Sequence, residues 1–307
     1  MELGNVALLE FIFLDLFVGL FCNILIVYMS CRAWRRGGQP GPADTILFSL
    51  GLCNVLMQSL LICSIVMYFF CFQILISNDF YRLYSGVYIP LCLSSSWMTS
   101  WLCIFYCIKI TTFQFRFLVW LKSRFSDVLP GLIFMSIVVS FVLIYPITTV
   151  LSTGKCSANN TVERSVEFLP LVVPRRFLPI ILLWFCIPCL LIFMSLTMTI
   201  ASLALHVLRM KGSPSFSDSQ ITAHVSSMKT MASLLVLYVT FYLSQVILLL
   251  NMFPFTSGWF WLFLLLHYSF CTLQGIILTL GNPKLYNALL HFYNFIKLEK
   301  KKGKGVR

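Results

Sequence analysis

Cys186-Ile187-Pro188-Cys189 is the one metal-like spacing in this chain of 307 residues. It lies inside a long apolar run with no second pair, so it reads as packing rather than as a zinc or redox site. The sequence contains no HExxH, no GxSxG and no paired carboxylates within an apolar stretch. Those are the arrangements that metal-assisted and nucleophilic hydrolysis use. Ionisable side chains inside apolar stretches are few, with Asp15, Lys109 and His267 the ones singled out. They form no chain of charges that could relay protons or pass ions, which disfavours a transporter. The expectation is a protein without catalytic residues, resident metal or cofactor. Groups suited to noncovalent recognition remain. Trp97 and Trp101 are four residues apart and share one helix face. His267 stands seven residues before Gln274, two helical turns along the same face.

The elements that must carry these groups follow from hydropathy. Hydrophobic residues make up 59% of the chain and charged residues only 10%, where a soluble domain is about a quarter charged. The solvent is therefore a bilayer, which a helix of about 20 apolar residues can cross. Seven stretches qualify: Val6–Met29, Thr45–Phe70, Val87–Ile110, Leu129–Leu151, Phe177–Val207, Met228–Leu250 and Trp259–Gly281. The fold class expected is all-α, a single seven-helix transmembrane domain. Residues 282–307 follow as a short amphipathic helix and basic tail, with Leu285, Leu289, Phe292 and Ile296 on one stripe. The twelve cysteines lie mostly within apolar runs and read as small buried residues. The first ten residues hold Glu2 and Glu10 and no basic n-region, so the first span is expected to act as its own anchor.

Charge sets the expected orientation. The net charge is +12, and its distribution follows membrane topology rather than a nucleic-acid surface. Lysine and arginine concentrate after spans 1 and 3, between spans 5 and 6, and in the tail. With Lys109, that side holds 17 of the 22 basic residues. The other side has Arg82, Lys155, Arg164, Arg175 and Arg176. The N-terminus is therefore expected outside and the C-terminus inside, in a multi-pass protein of the plasma membrane. Asn159-Asn160-Thr161 is an N-glycosylation sequon in the longest expected outer loop.

Short motifs then run in order along the chain. They are Asn23 within Phe21-Cys22-Asn23-Ile24-Leu25-Ile26, Asp44 with Leu47, and Trp97 leading to Leu102. Phe105-Tyr106-Cys107-Ile108-Lys109-Ile110 closes on Phe113, and Leu121-Lys122 follows. Ser202-Leu203-Ala204-Leu205-His206 precedes Met210. Asp218, Ala223-His224, Lys229-Thr230, Ser233, Leu237-Tyr238 and Leu243-Ser244 come next, and Leu280-Gly281-Asn282 with Lys284 and Leu285 ends the series. In this order and spacing the chain resembles the bitter (type 2) taste receptor family of G-protein-coupled receptors. Two positions depart from that family's pattern. Asn54 stands where an arginine is usual, and Gln274-Gly275 stands where His-Ser is usual. Asn282-Pro283-Lys284-Leu285-Tyr286 also spells the NPxxY of rhodopsin-like receptors, but Lys109-Ile110-Thr111 replaces the DRY that class would carry. A type 1 vomeronasal receptor is the nearest alternative, and a small-solute transporter a more distant one.

The resemblance implies roles for particular residues. Trp97 aligns with the family's ligand-contacting tryptophan and Phe241 with an aromatic contact position. With Trp101 and His267 they are the expected ligand-binding set, in the outer halves of the bundle. Lys109, His206, Lys229 and Lys284 would face the G protein, of the gustducin type. With no carboxylate in that pocket, neutral aromatic bitter agonists are expected rather than amines. The family lacks the disulfide between helix 3 and the second outer loop, so Cys92 and Cys156 are expected to stay unpaired.

Overall fold

The computed structural model describes residues 3–35, 41–71, 77–111, 116–155, 177–211, 218–254 and 257–304. These form nine helices: α1 (Leu3–Arg35), α2 (Pro42–Phe70), α3 (Asn78–Ile110), α4 (Arg116–Lys155), α5 (Leu178–Lys211), α6 (Asp218–Leu249), α7 (Gly258–Tyr268), α8 (Phe270–Gly281) and α9 (Pro283–Lys304). No strand occurs among the described residues. Helices are the expected outcome, because backbone groups at hydrocarbon depth must be satisfied within the segment that carries them.

Six helices are each long and apolar enough to cross a membrane, and the bent pair α7–α8 makes a seventh span. That last span, expected as one continuous helix, is broken at Ser269 with a bend of 41°. Neither proline nor glycine marks the break. On its α8 side, Thr272 Oγ1 lies 3.0 Å from both the backbone oxygen and Oδ2 of Asp15 on α1.

The helices close into a ring. Each of α1 to α3 packs on the next, α3 also meets α4 and α5, α5 meets α6, and α6 meets both α7 and α8. Helix α8 returns to α1 and completes the circle. Apolar side chains such as Leu16, Leu50 and Leu93 fill the interior, and others cover the outside as well. Leu14, Phe17, Phe134, Val142, Leu183 and Val236 point outward, while Asn23, Asn54, Gln58 and Gln274 are fully buried. Among the described residues no Asp, Glu, Lys or Arg is fully buried.

Local sequence explains the helix starts. Ser77 Oγ accepts from Phe80 N at 3.2 Å, and Ser257 Oγ accepts from Trp259 N at 3.3 Å. The Asn-Pro pair that mimics a receptor motif is a helix start of the same kind. Asn282 Oδ1 accepts from Lys284 N at 3.0 Å, and Pro283 occupies the first helical position, where its missing N–H costs nothing. Helix α9 then turns Leu285 onto the bundle and leaves Tyr286 and Tyr293 exposed.

Candidate functional site

The two positions that depart from the family pattern meet at the bundle axis. Asn54 Nδ2 on α2 donates to Gln274 Oε1 on α8 at 2.8 Å and to Asn23 Oδ1 on α1 at 3.1 Å. Asn54 Oδ1 accepts from Ser95 Oγ on α3 at 2.8 Å. Gln274 Nε2 donates to Thr99 Oγ1 at 2.9 Å and to the hydroxyl of Tyr238 on α6. Asn23 Nδ2 reaches the Gly19 and Cys271 carbonyls at 2.9 and 3.2 Å, and Gln58 Nε2 meets Thr272 Oγ1 at 3.2 Å. One neutral amide network therefore joins α1, α2, α3, α6 and α8. Neutral groups suit this place, since a charge at bilayer depth carries a large desolvation cost. Gly275 makes room for the network: a Cβ there would come within 3.0 Å of Asn23 Nδ2.

Toward the N-terminal face an aromatic stack rises from this network. Tyr238 meets Phe270 edge-on at 5.2 Å, Phe270 stacks on Phe241 at 4.0 Å, and Phe241 stacks on His267 at 5.3 Å. His267 Nε2 lies 3.4 Å from the hydroxyl of Tyr88 on α3, and Tyr88 stacks on Tyr84 at 5.5 Å. His267 is 3% exposed, and its Nδ1 has no partner among the described residues. Gln245 Oε1, one turn beyond Phe241 on α6, is also buried without a partner among the described residues.

A second aromatic group gathers on α3. Trp97 stacks on Trp101 at 5.8 Å and packs against Trp184 of α5 at 5.3 Å. The two α3 tryptophans differ in their polar atoms. Trp101 Nε1 donates to Ser136 Oγ on α4 at 3.0 Å, which makes it a link between helices. Trp97 Nε1 and Trp184 Nε1 are buried with no partner among the described residues. The four residues expected to bind ligand thus fall into two groups, with Trp97 and Trp101 on the α4–α5 side of α3, and Phe241 and His267 between α6 and α7. Tyr88, Trp184 and Gln245 belong with them and were not singled out from sequence. Trp184 carried one visible signal, an indole N–H in an apolar run four residues before a proline.

At the opposite, C-terminal face, Lys109 is exposed with its Nζ 5.9 Å from the centre of the Phe105 ring. Lys229 is exposed on α6. Lys284 Nζ lies 3.9 Å from Asp44 Oδ2 and so ties α9 to α2. His206 belongs to α5, and its side chain lies outside the described residues. Asn159 and Cys156 lie outside them as well. Cys92 is a free thiol buried on α3.

A closed ring of membrane-spanning helices, a neutral polar axis and aromatic clusters toward one face define a seven-helix membrane bundle. Residues 1–297 match the taste receptor protein (TAS2R) family. Taste receptor type 2 member 41 of Mus musculus is 28% identical over 275 residues, covering 87% of this chain and 88% of that one. Taste receptor type 2 member 4 of Gorilla gorilla gorilla is 30% identical over 260 residues, covering 79% and 80%. The chain belongs to the TAS2R taste receptor family, multi-pass membrane receptors rather than enzymes.

Proposed function

We propose that this receptor detects small, largely apolar bitter compounds in the N-terminal half of its bundle and activates a gustducin-type heterotrimeric G protein. The N-terminus would lie outside the cell and α9 inside. The observation that carries the reading is the set of buried polar atoms without partners among the described residues, Trp97 Nε1, Trp184 Nε1, Gln245 Oε1 and His267 Nδ1, set among aromatic rings. Orphan polar atoms away from water are costly, and a ligand group that pairs with them recovers part of that cost. Aromatic walls with a few convergent polar groups are the usual composition of a small-molecule site. Trp97, Phe241 and His267 would contact the agonist, and Trp101 would hold Trp97 in place.

Agonist binding would act by population shift, favouring the arrangement of α5 and α6 that the G protein binds. Lys109, His206, Lys229 and Lys284 would line the G-protein face. The test is calcium release in cells that carry this receptor and a gustducin-like G protein, challenged with a panel of bitter compounds. Release that requires both components supports the reading, and Trp97→Ala should weaken it. Silence from protein shown to be at the cell surface would reject it.

A further inference from the structure

The seam between α6 and α8 has two sides. Inside the bundle, Tyr238 of α6 bonds Gln274 of α8. Their chain neighbours Leu237 and Leu273 line a groove of about 490 Å³ between the same two helices. Val236, 66% exposed, and Leu273, 40% exposed, place the groove on the outer surface of the bundle. Ser233 and Thr240 of α6 and Ile277 of α8 also line it. One turn further toward α9 the helices touch, since a Cβ on Gly281 would collide with the Thr230 side chain. Lys229 stands beside that contact, exposed, one turn from Ser233 on the same face of α6. Lys284 is tied to Asp44, but Lys229 has no ion pair among the described residues. From Lys229 to Thr240 the helix rises about 17 Å, close to half of the ~30 Å hydrocarbon core. Over the depth of one leaflet, the surface therefore runs from an ammonium past a hydroxyl into an apolar trough.

Resting on the receptor reading above, which puts α9 inside, we infer that this groove holds an anionic phospholipid of the inner leaflet. Its phosphate lies at Lys229 and one acyl chain runs outward along the groove. The order of head and chain in such a lipid matches the order of Lys229 and the groove. Anionic lipids of the cytoplasmic leaflet attract lysines at this level, whereas a phosphatidylcholine brings an ammonium of its own and gains less. The lipid touches both helices of the seam that Gln274 and Tyr238 close from within.

Native mass spectrometry of the purified full-length receptor in a neutral detergent tests this by counting bound lipid. The probes are palmitoyl-oleoyl phosphatidylserine, phosphatidylcholine with the same chains, and glycerophosphoserine, the headgroup without chains. The first phosphatidylserine should bind at lower concentration than the first phosphatidylcholine. Lys229→Gln should weaken phosphatidylserine binding about fivefold, the size of one lysine's attraction to an anionic lipid, and change phosphatidylcholine binding less. Ala232→Phe, which sets a ring at the groove wall, should weaken both lipids. Lys109→Gln removes an exposed lysine near the same end of the bundle, on α3, and should change neither. Equal binding of the two lipids would overturn the inference, as would no loss in Lys229→Gln or an equal loss in Lys109→Gln. So would glycerophosphoserine binding as strongly as the whole lipid. Lys229 is exposed, so its substitution leaves the fold intact even where Ala232→Phe does not. The measurement needs neither agonist nor G protein, so it can fail while the calcium test succeeds, and the reverse.

Discussion

Trp97 and Trp101 show how much a single residue's partner decides. Their spacing puts both on one face, and the rings do stack. Only the position of α4 relative to α3 gives Trp101 a hydrogen bond to Ser136 and leaves Trp97 without one. Which helices are neighbours is a tertiary fact that no local pattern encodes, so a shared face was legible and the division of roles was not. Trp101→Phe should lower the stability of the purified receptor by about 1 kcal/mol, a usual size for one interhelical hydrogen bond. Its half-maximal agonist concentration should rise less than that of Trp97→Ala, because the phenyl ring still backs Trp97. Trp97→Ala should weaken the agonist response most, and because it removes an indole packed against Trp101 and Trp184 it should also lower melting by more than one lost hydrogen bond does. A thermal-shift assay and a calcium dose–response curve on the same preparations separate the two.

The helices themselves were the most legible level, because hydrocarbon depth demands long apolar runs and the chain supplies them. The break at Ser269 was not legible, since no proline or glycine marks it. The close approaches were half legible: a glycine can be read from sequence, but not what it meets. A Cβ on Gly19 would collide with Gln58 and Thr272 side chains, and it would also come within 2.9 Å of the Thr272 Cα. Backbone cannot move aside cheaply, so α1, α2 and α8 would have to part. A Cβ on Gly131 of α4 meets nothing within 4 Å. Gly19→Ala is therefore expected to cost several kcal/mol and to reduce surface expression, as overpacking does. Gly131→Ala should be neutral or slightly stabilising, by about 0.5–1 kcal/mol of helix propensity. Surface labelling and melting temperature distinguish the pair, and equal behaviour would contradict the packing described at Gly19.

At the scale of the whole molecule, orientation and switching each lead to a measurable outcome. If the loop holding Asn159 faces outward, the wild-type receptor should lose gel mass on glycosidase treatment and Asn159→Gln should not. The switching argument rests on the amide network. The sequence marked Asn54 and Gln274 only as departures from a family pattern. Their meeting at 2.8 Å turns two separate oddities into one arrangement, with a neutral pair standing where charge would be usual. Within the network Gln274 also bonds the Tyr238 hydroxyl, so it is the member that holds α6 to α8. The other amides join α1, α2, α3 and α8 and leave α6 untouched. Gln274→Leu should therefore release α6 and raise basal signalling, while Asn54→Leu should lower stability with a smaller change in basal signal. Each single variant strands a buried amide of its partner, and the double variant removes that penalty. The combined loss of stability should fall short of the sum of the single losses by about 0.5–3 kcal/mol. The recovery stays partial because Asn23, Ser95, Thr99 and Tyr238 also lose partners. Denaturation of purified receptor measures the coupling, and ligand-free inositol phosphate accumulation measures the basal signal. Additive stability losses with unchanged basal output would mean that the pair holds the bundle together without governing its switch.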